Sequence, residues 1–207
     1  MSWYTSMRTK RVKGAIEAVS SSDLVISEPE KIYSDLPIHL EIGSGKGKFI
    51  IEMAQLNPEI HYVAMEKEIN VSIRILEKQQ ALKLNNLTII SGDATELEAF
   101  FDPNGVEKIY LNFSDPWPKT RHHKRRLTFS TFLETYKKLL SKRGQIEFRT
   151  DHQDLFDDSV EYFKTNGFNI VWIDYDAKQR QAVSEYELKN REGGSIYGLI
   201  AEVNNEN

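Results

Sequence analysis

Short apolar runs rich in strand-forming residues take turns along this chain with stretches of helical period. Ile38–Ile42, His61–Glu66, Leu87–Ser91, Lys108–Phe113 and Gln145–Thr150 read as buried strands. Between them, Lys48–Gln55, Ile69–Lys83, a short Glu96–Phe101 and Thr128–Leu140 each offer one apolar face. In the last of these Phe129, Phe132, Leu133, Tyr136 and Leu140 recur at helical spacing, and Gly144 follows as the expected C-terminal cap. Asp154–Thr165 repeats the arrangement, with Phe156, Val160 and Phe163 on one side and Gly167 closing it. Strand, helix, strand in this order predicts a doubly wound, mostly parallel α/β sheet with right-handed crossovers. Further on, Phe168–Asp174 and Ser195–Val203 read as strands separated by a polar stretch with little helical pattern. They predict an antiparallel C-terminal strand pair at the sheet edge, and seven strands in all. Residues 1–35 carry weak signals and are expected to form a flexible basic arm, leaving one domain over residues 36–207.

Composition agrees with a single packed domain. The chain has 207 residues, 40% of them hydrophobic, with three Trp, nine Tyr and ten Phe, enough to bury a core. It has no cysteine, which excludes disulfides, thiolate zinc sites and cysteine nucleophiles and fits a reducing cytosol. No apolar run approaches the roughly 20 residues a membrane helix needs, and the opening MSWYTSMRTKRVKG lacks the apolar segment of a secretory signal. A cytoplasmic protein without a membrane contact is the expectation.

Charge placement says more than the net −4. Arg8, Lys10, Arg11 and Lys13 give the first 13 residues a local +4, and Lys119, Arg121, Lys124, Arg125 and Arg126 give residues 119–126 a local +5. Elsewhere 18 basic residues face 31 acidic ones, so the body is acidic and the positive charge is concentrated. Such segments suit a localised polyanion contact, or are solvated charge runs.

The strongest local feature is Glu41-Ile42-Gly43-Ser44-Gly45-Lys46-Gly47-Lys48, which follows a strand and opens a helix. Glycines let backbone approach a ligand closely, and a helix N-terminus favours an anion. The phosphate loop pattern fails because Lys48 stands where its second glycine belongs. The dinucleotide fingerprint fails because the third glycine falls one residue early, at Gly47. The next strands add acids at their ends: Glu66, 19 residues beyond Gly47, where a carboxylate accepts from ribose hydroxyls, and Asp93, where an adenine amine donates. Acids at successive strand ends behind a glycine turn, with no pyrophosphate fingerprint, point to a nucleoside cofactor without phosphates. S-adenosyl-L-methionine, whose sulfonium and amine suit an acidic pocket, fits.

Strand four runs into Asn112-Phe113-Ser114-Asp115-Pro116-Trp117-Pro118-Lys119-Thr120-Arg121-His122-His123-Lys124-Arg125-Arg126-Leu127. Asp115 is expected to end the strand beside the glycine turn, with Pro116 and Pro118 stiffening the loop around Trp117. Trp117 either packs or stacks on a base. His122, His123 and His152 do not form a spacing that predicts a metal site, and none is expected.

This run, with Glu41–Gly47, Glu66, Asp93 and Phe148-Arg149-Thr150-Asp151, resembles the bacterial tRNA (guanine-N7-)-methyltransferases, over most of the chain from about residue 36. Ser184-Glu185-Tyr186-Glu187-Leu188-Lys189-Asn190 is similar to the family's C-terminal T-E-Y-E-x-K/R-F element, with serine for threonine and Asn190 in place of phenylalanine. The resemblance implies the Rossmann-like fold of class I methyltransferases. It also implies transfer of a methyl group from S-adenosyl-L-methionine to N7 of a guanosine in the tRNA variable loop. Residue by residue, it implies that Glu41, Gly43, Gly45, Glu66, Asp93 and Asp115 hold the cofactor, and that Asp115 sits at the methyl-transfer point. Lys119, Asp151, Ser184, Glu185, Tyr186 and Glu187 would face the guanosine, and Arg121, His122, His123, Lys124, Arg125 and Arg126 the RNA backbone. From the residues alone, a methyltransferase with another substrate and a catalytically inactive RNA-binding relative stay open, as does monomer against homodimer.

Overall fold

The apolar strands form because nearly every side chain in them is covered on both faces, the condition that makes central parallel strands read as continuous hydrophobic runs. The computed structural model describes residues 12–190 and 193–204. In it a helix α1 (Ala15–Ser20) and a two-residue strand β1 (Val25–Ile26) precede β2 (Ile38–Ile42), α2 (Lys48–Leu56), β3 (His61–Glu66), α3 (Ile69–Leu82) and β4 (Leu87–Ser91). A short α4 (Leu97–Phe100), β5 (Val106–Asn112), α5 (Ser130–Leu139), β6 (Leu140–Thr150) and α6 (Gln153–Thr165) follow. The chain then adds β7 (Phe168–Asp174), α7 (Glu185–Asn190) and β8 (Tyr197–Val203).

The strands make one sheet in the order β1-β4-β3-β2-β5-β6-β8-β7. All pairings from β1 to β6 are parallel; β8 runs antiparallel to both β6 and β7. The doubly wound sheet and its antiparallel edge are therefore as expected, but among the described residues it has eight strands, not seven. The extra strand, β1, pairs Val25 with Ile89 and Ile26 with Ile90. Two residues are too few to carry any periodicity, which is why the pattern does not reveal them.

Alternate positions of each strand feed two cores. On one face Tyr62, Ala64 and Ile89 pack with Phe49, Ile50, Ile73 and Ile75 of α2 and α3, joined by Ala15 and Val19 of α1. On the other, Leu40, Val63, Met65 and Ile109 pack with Leu133, Tyr136, Phe156 and Phe163 of α5 and α6. Part of the span expected as an arm is thus folded: α1 is anchored by Ala15 and Val19, and Val12 donates to the side chain of Asn70 (2.9 Å). Arg8, Lys10 and Arg11 lie outside the described residues, and Lys13 is exposed.

Helix α5 ends one residue before β6 begins, so Gly144 is not its cap. It lies in β6, where a Cβ would come within 2.9 Å of the Leu140 side chain. Glycine is needed there for close approach, not for turning the helix off. Gly167, at φ 77°, does follow α6 as expected.

Candidate functional site

In a sheet of this kind ligands bind beyond the carboxyl ends of the strands, where neighbouring connections leave to opposite faces. Here that point lies between β2 and β5, which pair directly through Glu41 and Tyr110. The glycine turn rises from β2. Gly43 and Gly45 sit at φ 76° and 55°, conformations side chains rarely adopt, and a Cβ at either would meet nothing within 4 Å. Gly47 is the residue just before α2, and there a Cβ would lie 2.9 Å from Ile75. The first two glycines therefore open onto free space, and the third lets α2 pack on α3.

Glu41 lies beneath this turn, only 2% exposed. Its Oε1 accepts from Asn112 Nδ2 at 2.8 Å, while Oε2 is buried without a hydrogen-bond partner among the described residues. Burial pushes its pKa up to about 7, against the opposing pull of the Asn112 and Ser44 hydrogen bonds and the Arg180 charge. A buried carboxylate oxygen left unsatisfied beside an open glycine turn is a place for a donor or cation from outside the chain.

Glu66 closes the other side. Its Oε2 accepts from Gly45 N–H (2.9 Å) and its Oε1 from Glu68 N–H (3.0 Å), so it ties the turn to the end of β3. Burial raises its pKa, partly offset by these backbone hydrogen bonds. Asp93 stands beyond β4 with Oδ1 accepting from Thr95 N–H and Oγ1 and Oδ2 3.5 Å from Lys67 Nζ. Its partial burial opposes ionisation, but the Thr95 bonds and Lys67 prevail and hold its pKa below the usual value. Glu41, Glu66 and Asp93 are thus brought to one edge of the sheet, Glu66 and Asp93 oriented by backbone N–H groups and Glu41 by the Asn112 side chain.

Strand β5 ends at Asn112, so Asp115 lies three residues out in the loop and is exposed. The backbone around it is strained: Phe113 and Trp117, neither a glycine, have φ of 52° and 42°. Such conformations cost on the order of 1–3 kcal/mol each and persist where surroundings impose them. Phe113 N–H donates to Arg149 O (2.8 Å) and its ring meets Tyr186 at 5.2 Å.

The basic run forms a tight 3-10 turn over Thr120–Arg125. Lys119, Arg121, Lys124 and Arg125 are exposed, with the Arg125 guanidinium over Trp117 at 4.9 Å. Arg126 departs from the expected RNA contact. It is 2% exposed, donates to Pro116 O (2.8 Å), pairs with Asp158 at 2.5 Å and touches His123 Nε2 at 3.0 Å. It holds the loop to α6 rather than facing outward. His122 packs edge-on against Trp117, and desolvation with Arg125, Arg121 and Lys119 around it lowers its pKa.

Helix α7 brings the C-terminal element over the glycine turn. Ser184 Oγ accepts from Glu187 N–H (3.0 Å), capping the helix. Glu185 faces Lys46 (3.6 Å) and Lys78 (3.7 Å). Tyr186 donates to Asp151 Oδ2 (3.0 Å); burial and then the Asp151 charge push its pKa up to about 12. Glu187, expected to face substrate, is fully buried instead, 3.1 Å from Arg149 Nη2. Of the four residues, Glu185 and Tyr186 remain on the open side.

Three polar residues escape the sequence reading. Asn112 lies inside the motif without a role attached to it. Arg180 and Glu147 carry no local pattern at all, yet they pair at 2.5 Å inside the site, with Lys108 2.8 Å from the same carboxylate. Among the described residues no cluster of three or more His, Cys, Asp or Glu is placed to hold a metal ion, and no helix is long and apolar enough to cross a membrane.

A family model described as "Putative methyltransferase" matches residues 35–198. A tRNA (guanine-N(7)-)-methyltransferase of Lactiplantibacillus plantarum is 46% identical over 170 residues, 80% of this chain and 79% of that protein. The protein of the same name from Streptococcus mutans is 40% identical over 209 residues, 94% of this chain and 99% of its own. Among solved structures, a SAM dependent methyltransferase from Aquifex aeolicus matches with a TM-score of 0.60 at 12% identity, covering 81% of this chain and 82% of that one. An antibiotic related methyltransferase matches at 0.59 and 18% identity over 94% and 96%. At these identities the structural matches speak for the fold.

Proposed function

The chain belongs to the tRNA (guanine-N(7)-)-methyltransferases, and from that premise we propose that it methylates N7 of a guanosine in the variable loop of tRNA, position 46, in the cytoplasm, with S-adenosyl-L-methionine as donor. The observation that carries this reading is Glu41: buried, half-satisfied, beneath an open glycine turn and on the strand next to the one that leads to Asp115.

The residues present fit the cofactor. Glu41 Oε2 would offer an acceptor to its amine, Gly43 and Gly45 would leave room against backbone, Glu66 would accept from the ribose hydroxyls and Asp93 from the adenine amine. Bound there, adenosylmethionine supplies an electrophilic methyl group. Guanine N7 has an in-plane lone pair and needs no deprotonation, so the protein's task is orientation and charge stabilisation rather than general-base catalysis. Asp115, on a strained exposed loop, would balance the positive charge that grows on the guanine. Asp151 and Glu185 supply acceptors for the N1–H and N2–H₂ donors that distinguish guanine from adenine. Tyr186, half-exposed and hydrogen-bonded to Asp151, offers a ring on which an extruded base stacks. Drawing the base out of folded tRNA costs a few kcal/mol, offset by phosphate contacts from Lys119, Arg121, Lys124 and Arg125.

The test is methyl transfer from labelled adenosylmethionine to an unmodified tRNA transcript and to one carrying 7-deazaguanosine at the variable-loop site. Label on the first alone supports donor, atom and nucleotide together. Equal label on both discards the N7 target, and label on neither, with cofactor still bound, points to another substrate.

A further inference from the structure

A single guanidinium joins the cofactor acid to the substrate-side helix. Arg180 lies in the connection between β7 and α7 and is mostly buried. Its Nη1 is 2.5 Å from Glu147 Oε1 on β6, and its Nη2 donates to Asn112 Oδ1 at 2.9 Å. The same Nη2 lies 3.8 Å from Glu187 Oε2 of α7, and the guanidinium stacks 4.6 Å from the Phe49 ring in the first turn of α2. Asn112 then passes the contact on, since its Nδ2 donates to Glu41 Oε1 at 2.8 Å.

The direction of that amide is the key. An asparagine side chain has one acceptor end and one donor end, and a flip exchanges them. With Arg180 holding the oxygen, the NH₂ must face Glu41. Without it, Glu41 alone orients the amide, and once that carboxyl takes up a proton the amide oxygen can turn to accept from it, so the NH₂ is no longer held toward the acid. Arg180 in turn is held where it is by Glu147 and by Glu187, which also binds Arg149. Seating of α7 and orientation of Asn112 are therefore one event.

Resting on the functional reading above, we propose that Arg180 is a positioning residue: by fixing the Asn112 amide against Glu41 it couples adenosylmethionine binding to the seating of the guanosine-facing helix α7. It need not touch either ligand to do so. The groups facing Glu41 are Asn112 from β5, Ser44 from the glycine turn, Glu66 from β3 and Arg180 from the β7–α7 connection. Among them Arg180 is the one cation, so its removal also moves the pH range in which Glu41 ionises upward.

The experiment measures adenosylmethionine dissociation constants for the full-length parent, Arg180→Lys and Arg180→Gln, with and without tRNA, between pH 6 and 8.5, alongside thermal unfolding. Arg180→Lys keeps a cation between Glu147 and Glu187 but loses the fork that reaches Asn112. It is expected to melt near the parent temperature and to bind cofactor roughly tenfold more weakly, the scale of one lost charge-assisted hydrogen bond; the parent is expected to bind cofactor more tightly when tRNA is present, and this variant to show no such response. Arg180→Gln is expected to weaken cofactor binding likewise, to melt lower because the buried Glu147 and Glu187 lose a cation, and to shift the rise of affinity with pH to higher pH. Asn112→Ala combined with Arg180→Lys is expected to cost no more than Asn112→Ala alone. A folded Arg180→Lys protein with parent affinity, parent pH profile and parent response to tRNA overturns the proposal while leaving the methyltransferase reading intact. Failure of the parent itself to bind adenosylmethionine overturns both.

Discussion

The glycine turn and the C-terminal helix face each other across the site, and they are in opposite states of satisfaction. At the turn, Gly43 and Gly45 border empty space and Glu41 keeps a buried oxygen without a partner among the described residues. Across from it, three residues of α7 and the buried Arg126 of the basic loop have protein partners: Glu185 with Lys46 and Lys78, Tyr186 with Asp151, Glu187 with Arg149, Arg126 with Asp158. The cofactor side is built and left open, so a ligand adds contacts there. On the substrate side, a ligand that reaches Glu185 or Tyr186 must exchange existing contacts.

That contrast has measurable consequences of decreasing size. Asp115→Ala, on the strained loop between the two sides, is expected to lower the single-turnover methylation rate by about 10²-fold or more, with filter-binding of tRNA near that of the parent. A near-parent rate would remove Asp115 from the chemistry.

Two adjacent arginines give the next largest effect. Arg126→Ala removes a buried guanidinium and leaves the Pro116 carbonyl without its donor, while the half-exposed Asp158 turns to solvent, and it is expected to cost about 1–2 kcal/mol in denaturant unfolding. Arg125→Ala removes an exposed cation stacked on Trp117 and is expected to cost under about 1 kcal/mol while reducing the slope of log affinity for tRNA against log salt by about 1. If both lower the salt slope equally, the division of the basic run into inner and outer halves is wrong.

Glu41 tests the open side. Its folded pKa of about 7 lies above the ordinary 4.5, so the folded state holds the proton more tightly than the unfolded chain. Its contribution to stability is fully present below pH 4.5 and is lost as pH rises through 7. Glu41→Gln is therefore expected to unfold about 1–3 kcal/mol later than the parent at pH 8, to show a flatter stability profile between pH 5 and 7, and to bind adenosylmethionine poorly. Equal pH profiles for parent and variant would mean that Glu41 is ionised without cost. The smallest effect belongs to the substrate side: Glu185→Gln removes two half-exposed ion pairs and is expected to change unfolding by no more than about 0.5 kcal/mol, less at high salt.

Much of this molecule is legible in its residues because two periodicities and a few obligatory backbone conformations leave little freedom. The buried strands announce themselves through unbroken apolar runs such as Leu87–Ser91, the helices through one-sided spacing such as Leu133–Tyr136, and the cofactor turn through glycines whose positive φ no side chain would accept cheaply. Local rules suffice wherever the constraint is local. They fail at β1, whose two residues are strand only because β4 lies beside them, and at Gly144, whose neighbour Leu140 approaches through a strand distortion that no pattern records. They fail most plainly among the charged residues. Arg125 and Arg126 are indistinguishable in sequence, and Glu185 and Glu187 lie two apart on one short helix. Which of each pair is buried depends on groups up to 38 positions away, Asp158 for one and Arg149 for the other. A charge is tolerated inside a protein only when partners from elsewhere in the chain converge on it. Arg180, which carries no local signal at all, has its place in the site for that reason alone.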